Sequence, residues 1–201
     1  MKEVLILGGA GFIGSHIAEI FSENEYKCII VDNLSKGSLE NIKNIKNYVF
    51  YNIDINDKTA LDDVFKKHNI ELVYHEAAQI SVVESIKDPH FDAVQNILGL
   101  INVLDLSVKY KVKKLMFASS AAVYGIPKSE VSKENDNLSA LSFYGLTKKT
   151  GEEYIRLYHD IFGLDYVIFR YSNVFGDRHS VHGEAGVVAI FSDSMKFGKK
   201  I

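Results

Sequence analysis

Several things are scarce in this sequence, and each scarcity excludes a class of protein. Cysteine occurs once, at Cys28, so no internal disulfide can form. Its apolar neighbours Ile29, Ile30 and Val31 suggest a buried, inert thiol. Proline occurs twice, at Pro89 and Pro127, and no low-complexity linker divides the chain. No apolar run approaches the ~18 residues of a membrane span, so none is expected. The 23 Lys and Arg against 26 Asp and Glu give a net charge of -3. The lysines fall in scattered pairs such as Lys66-Lys67 and Lys113-Lys114, which leaves no basic face for nucleic acid. The first apolar run follows the N-terminus directly, with no secretory leader, and a cytoplasmic protein is expected. Metal ligands are also poorly represented. His75 has no second His or Cys at ligand spacing, and His179, His182 and Glu184 form only a loop trio without cysteine, so no metal is expected.

What remains is ordinary for a soluble chain: 201 residues, 47% hydrophobic and 24% charged, enough for one domain with a sizeable core. Apolar strand-like runs alternate with helical patterns from end to end. The expected strands are Val4–Leu7, Cys28–Val31, Tyr48–Tyr51, Leu72–His75, Leu115–Ala118 and Tyr166–Arg170. The expected helices lie near Ile13–Glu23, Lys58–Lys67, Phe91–Lys109 and Ser142–Phe162. Pro89 suits the first turn of the third helix, with Asp88 as its cap. Near-continuous apolar strands alternating with helices imply an α/β fold, a doubly wound parallel sheet of the Rossmann type.

The first strand enters the glycine-dense turn Gly8-Gly9-Ala10-Gly11-Phe12-Ile13-Gly14, and a helix follows. Gly9-x-Gly11-x-x-Gly14 fits the dinucleotide fingerprint, and Gly8-x-x-Gly11-x-x-Gly14 its wider variant. Free amides and the positive end of the helix dipole favour an anion there, and the glycines allow close approach of a pyrophosphate. Asp32 closes the second strand, 18 residues after Gly14. A carboxylate there can accept both adenosine ribose hydroxyls and repel a 2′-phosphate, which favours NAD over NADP. The loop Asn33-Leu34-Ser35-Lys36-Gly37 has small and polar residues that can wrap the adenosine, and Asp54 can meet the adenine amino group or be a plain turn residue. Ala77 and Ala78, after His75-Glu76, would let a cofactor lie against the backbone. Asn96 can hold a strand-end backbone or a water, or be a surface residue.

The fifth strand ends at Ser119-Ser120, two hydroxyls at the carboxyl edge of the sheet, where ligands bind in open α/β folds. No G-x-S-x-G elbow surrounds either serine, so a Ser-His-Asp hydrolase fits poorly. Tyr144 and Lys148 stand four apart on a helix and share a face. An ammonium beside a phenol lowers its pKa, so Tyr144 is expected to serve as a general base near neutral pH.

Gly8–Gly14, Asp32, His75-Glu76-Ala77-Ala78-Gln79, Ser119–Gly125, Tyr144–Lys148 and Arg170–Gly176 together resemble the extended short-chain dehydrogenase/reductase family. Within it the chain resembles the NAD-dependent nucleotide-sugar epimerases of the UDP-glucose 4-epimerase type. The resemblance implies that Tyr144 is catalytic base and acid. It implies that Lys148 holds the nicotinamide ribose and tunes Tyr144, and that Ser120, not Ser119, bridges Tyr144 and the sugar O4. It implies that Gly8, Gly11, Phe12, Ile13 and Gly14 back the pyrophosphate, and that Asp32, Asn33, Leu34, Ser35 and Gly37 hold the adenosine. Asp54 and Ile55 flank the adenine; Ala77, Ala78, Gln79 and Asn96 line the cofactor side. Ser172 borders the nicotinamide and Asn173 reaches the sugar diphosphate. The implied reaction is oxidation at C4, rotation of the 4-keto sugar and return of hydride to its other face. A nucleotide-sugar 4,6-dehydratase, or another NAD-dependent sugar oxidoreductase of the same family, is the sister alternative, although Ala121-Ala122 stand where the dehydratase needs an acid. A non-catalytic NAD-binding module is the alternative of another class. The resemblance also implies a homodimer through the two long helices. It divides the chain into an NAD-binding Rossmann domain, 1–175, and the start of the nucleotide-sugar-binding region, 176–201, with most of the C-terminal substrate domain missing. Glu76, Ile80 and Ile53 depart from the family pattern.

Overall fold

The computed structural model describes residues 1–127, 130–179 and 187–196. Six strands are β1 (Glu3–Leu7), β2 (Lys27–Val31), β3 (Tyr48–Tyr51), β4 (Ile70–His75), β5 (Lys114–Ser120) and β6 (Asp165–Tyr171). They form one sheet in the order β3-β2-β1-β4-β5-β6, with every pairing parallel. This is the doubly wound arrangement the alternating pattern implied, and its order reverses between β1 and β4. β1 is the most enclosed strand: Val4, Leu5, Ile6 and Leu7 are all 0% exposed, which explains its unbroken apolar run.

The helices are α1 (Phe12–Glu23), α2 (Lys58–Lys67), α3 (Val82–Lys87), α4 (Pro89–Ala93), α5 (Gly99–Lys109), α6 (Phe143–Phe162) and α7 (Val187–Lys196). Two apolar layers cover the sheet. Leu5, Leu7, Val73, Leu115 and Phe117 pack with Leu61, Phe65, Leu100, Leu104 and Ile155 from α2, α5 and α6. Val4, Ile6, Cys28 and Ile30 pack on the other face with Ala18 of α1. Cys28 is buried as expected, and burial pushes its thiol up to about 11.

The expected helix Phe91–Lys109 is continuous but not uniform. Asp88 caps it by accepting from the Phe91 N–H (2.9 Å), with Pro89 in the first turn. Residues Val94–Leu98 then form a turn of π-helix before α5 begins. By length and composition Pro89–Lys109 is apolar enough to cross a membrane. Leu100, Val103 and Leu104 are instead buried in the core, where they account for that apolarity. Helix α6 starts where Ser142 Oγ accepts from the Gly145 N–H (3.0 Å) and ends at Gly163, which adopts a left-handed φ of 73°.

Candidate active site

The site is assembled where the strand order reverses. Gly8 follows β1 with φ 74°, and its N–H donates to the Val31 carbonyl (2.8 Å). A Cβ at Gly8 would lie 2.7 Å from the Ala77 nitrogen; one at Gly14 would lie 2.3 Å from the Gly8 carbonyl oxygen. The turn is therefore compressed against the segment after β4, and only glycine fits. Gly11 is the cap position of α1 and supplies no side-chain acceptor, so the first-turn amides of Phe12 and Ile13 are left for an external anion.

Asp32 lies beneath this turn, 8% exposed. One oxygen accepts from the Ala10 N–H (3.0 Å) and the other from the Leu34 N–H (2.8 Å). A Cβ at Gly37 would be 2.8 Å from both oxygens. Leu34 takes a left-handed φ of 58°, and Ser35 donates its N–H to Asn33 Oδ1 (3.0 Å). Asn33 Nδ2 donates to Asp54 (2.8 Å), which also accepts from the Asn56 N–H. Burial pushes the Asp54 carboxyl up, but these bonds outweigh it and hold it below its usual value. Ile55 turns its side chain into the core, 5% exposed, leaving Asp54 as the member of that pair at the edge. These residues fit the adenosine half of a dinucleotide: a cradle with no room for a Cβ, an uncapped helix and a carboxylate with spare lone pairs.

At the end of β5 the two serines separate in role. Ser119 is buried and donates to Glu152 (2.6 Å). Ser120 is half-buried, its hydroxyl accepts from the Ala122 N–H (3.1 Å), and it is near enough to favour the ionised Tyr144 phenol. Ser120, the serine singled out above, is the one on the Tyr144 side, while Ser119 turns to Glu152. Lys148 is 3% exposed and donates to the Ala118 carbonyl (2.7 Å), with its ammonium 5.9 Å from the Tyr144 ring centre. One expectation is corrected here. Burial pushes the Tyr144 phenol above its usual value, the Ser120 hydroxyl opposes this, and the charge of Asp92 adds to it. Burial is the larger effect, and Lys148, itself drawn down to about 8 by burial, is directed at the Ala118 carbonyl. Burial likewise drives His75 down to about 3.

Asn96 is 3% exposed and clasps the Gln79 backbone, accepting from its N–H (2.8 Å) and donating to its carbonyl (2.9 Å). The Gln79 side chain points away from the cradle, donating to Asp92 (2.7 Å). Ala77 and Ala78 are half-buried beside the Gly8 turn, and Ser172 and Asn173 follow β6 exposed at the same edge. Of the departing positions, Glu76 accepts from the Tyr171 hydroxyl (3.3 Å) and is pushed up to about 7 by burial. Ile80 is exposed, and Ile53 packs on the core.

Several contributors were not anticipated. Glu152, fully buried on α6, accepts both arms of Arg170 (2.9 and 2.7 Å) and ties β6 to β5 through Ser119. After β6, Arg178 donates to Glu19 (2.7 Å) and His179 stacks on Phe12 at 4.7 Å, so this segment lies over the start of α1. Of the histidine trio, His182 and Glu184 lie outside the described residues.

Residues 4–201 match the NAD dependent epimerase/dehydratase family. A Methanocaldococcus jannaschii protein provisionally named UDP-glucose 4-epimerase is 48% identical over 96% of this chain and 62% of its own length. A UDP-glucose 4-epimerase from Thermotoga maritima, solved with UDP-glucose, superposes with a TM-score of 0.95 at 41% identity, over 100% of this chain and 65% of its own. The Thermus thermophilus UDP-glucose 4-epimerase, solved with NAD, gives a TM-score of 0.93 at 39% identity, over 100% of this chain and 64% of its own. The chain thus spans less than two thirds of the length of these relatives.

Proposed function

The chain belongs to the NAD dependent epimerase/dehydratase family, and from that premise we propose that it is the cofactor-binding and catalytic part of an enzyme that inverts C4 of a UDP-activated hexose through a transient 4-keto sugar. What supports this is the placement of Tyr144 and Lys148 on one face of α6 against the end of β5, where Lys148 donates to the Ala118 carbonyl and Ser120 ends the strand. Phe12 and Ile13 would hold the pyrophosphate of NAD by their amides, Asp32 the adenosine ribose, and Lys148 the nicotinamide ribose. When bound, NAD accepts a hydride from C4 and returns it. Tyr144 takes the C4 hydroxyl proton and gives it back, with Ser120 orienting the oxygen between them. Burial opposes the phenolate in the protein alone, and the positive charge of a bound nicotinamide would favour it. Asn173 would meet the sugar diphosphate and Ser172 would border the nicotinamide. Residues 1–175 act as the NAD-binding domain, and 176–201 begin the nucleotide-sugar region.

A 4,6-dehydratase needs an acid just after the β5 hydroxyls, and that turn is Ala121–Val123. A non-catalytic NAD-binding module does not need the assembled triad. The outer face of α6 bears exposed Leu146 and Leu157, which suits pairing of two copies there. A cytoplasmic location goes with this reading. The test is incubation of the full protein with UDP-glucose, UDP-GlcNAc and dTDP-glucose, reading products by NMR. The expected product is the C4 epimer of a UDP-sugar, abolished by Tyr144→Phe with NAD binding retained. A 4-keto-6-deoxy sugar would identify a dehydratase. Undiminished turnover in the Tyr144→Phe protein would sink the assignment.

A further inference from the structure

Asp92 is a charged side chain with 0% exposure, and no cation pairs with it among the described residues. An unpaired buried carboxylate is expensive unless hydrogen bonds replace the lost water. Here they come from three elements. Oδ1 accepts from Gln79 Nε2 (2.7 Å), after β4, and from Asn96 Nδ2 (3.1 Å), in the π turn. Oδ2 accepts from Thr147 Oγ1 (2.9 Å), on α6 between Tyr144 and Lys148.

The bonds are mutually dependent. Asn96 Oδ1 receives the Gln79 N–H, so its Nδ2 must face Asp92, the Gln79 carbonyl and Thr147 Oγ1 (3.2 Å). That fixes the amide orientation without ambiguity. The π turn Val94–Leu98 carries Asn96. Such turns are rare and concentrate at functional sites. On the far side, Thr147 Oγ1 lies 3.0 Å from the Tyr144 carbonyl oxygen, and its one proton is shared between that carbonyl and Asp92, so the network reaches the backbone of the proposed base.

We infer that Asp92 is a positioning residue of this site, whose buried carboxylate locks the cofactor-facing segment Ala77–Gln79 in register with the Tyr144–Lys148 face of α6 and holds a negative charge beside that face. This rests on the reading of Tyr144 as base and of Ala77–Gln79 as cofactor wall. The groups that feel its charge are Lys148 and Tyr144 on α6, and its bonding partners Gln79, Asn96 and Thr147 are uncharged. Burial raises the Asp92 carboxyl above its usual value while the Thr147 and Gln79 bonds and Lys148 oppose this, and its charge in turn raises the Tyr144 phenol.

The test compares Asp92→Asn and Asp92→Ala in the full protein. NAD affinity is measured by calorimetry. Tyr144 ionisation is followed by ultraviolet difference spectroscopy against Tyr144→Phe. Asp92→Ala removes an acceptor from three buried donors, and NAD binding is expected to weaken about tenfold or more. Asp92→Asn keeps the shape, and its amide can donate to Thr147 Oγ1. NAD affinity then stays near the parent value while Tyr144 ionises at lower pH, because the nearby negative charge is gone. Unchanged Tyr144 ionisation in Asp92→Asn would overturn the inference, even if Asp92→Ala failed to fold. Parent-like NAD affinity in a folded Asp92→Ala would overturn it as well. A protein that shows both shifts but converts no nucleotide sugar would retain this inference and remove the epimerase reading.

Discussion

At Asp32 one carboxylate meets two demands. Its oxygens accept from the Ala10 and Leu34 amides, which braces the glycine turn, and each keeps a lone pair for a ribose hydroxyl. Replacing it therefore acts on the cradle as well as on the ligand. Asp32→Ser is expected to lower the preference for NAD over NADP by about 1–3 kcal/mol, the size of a charged hydrogen bond. Dissociation constants for the two cofactors check this, and an unchanged ratio would remove Asp32 from the ribose site. Which residues could matter was legible at this scale: Asp32, Ser120, Tyr144 and Lys148 all stand at the edge where ligands bind. How they behave was less so. A four-residue spacing says that phenol and ammonium share a helix face, but not that both are desolvated or that Asp92 lies nearby. Those terms reverse the expected shift of Tyr144. Asp92, Thr147 and Glu152 were passed over because their partners lie on other elements, 55 positions apart for Asp92 and Thr147 and 33 for Ser119 and Glu152.

At the scale of elements, the strand–turn–helix at β1 and α1 and the capped start at Asp88 were legible because each is local. Pattern and punctuation fall within a few residues. The π turn was not, since one extra residue barely disturbs the apolar pattern of Phe91–Lys109. Two glycines at helix ends show how differently one residue type can be used. Gly163 terminates α6 with a left-handed φ, and a Cβ there meets nothing within 4 Å. Gly163→Ala should therefore cost only the backbone penalty, about 1–2 kcal/mol. Gly14 packs α1 onto the turn, with the Gly8 carbonyl oxygen 2.3 Å from where a Cβ would stand. Gly14→Ala should move the helix start and cost more than Gly163→Ala, with NAD binding lost. Urea unfolding and calorimetry on the two variants check this, and similar losses in both would contradict it.

Across the whole molecule, stability and function meet at the carboxyl edge, where burying titratable groups makes folding sensitive to pH. His75 is about 3 in the folded protein against an ordinary value of 6.5. Below 6.5 the unfolded chain takes up a proton that the folded chain refuses, so this contribution to stability falls as pH drops. Glu76, pushed up to about 7, acts in the opposite direction, because the folded chain binds its proton first as pH falls from 7. The parent protein therefore shows a partial cancellation, and His75→Leu should expose it. Between pH 7 and pH 5 the unfolding free energy of the parent is expected to drop by about 2 kcal/mol relative to His75→Leu. Equal pH dependence in urea titrations would contradict this. The assembled edge is proposed to act on a sugar C4, and an isotopic label at that carbon follows the hydride. UDP-glucose carrying deuterium at C4 is incubated with the full protein and NAD in ordinary water, and the product is read by NMR. Withdrawal and return of the same hydride predicts UDP-galactose with deuterium retained at C4; epimer with the label washed out, or no epimer at all, would contradict the account.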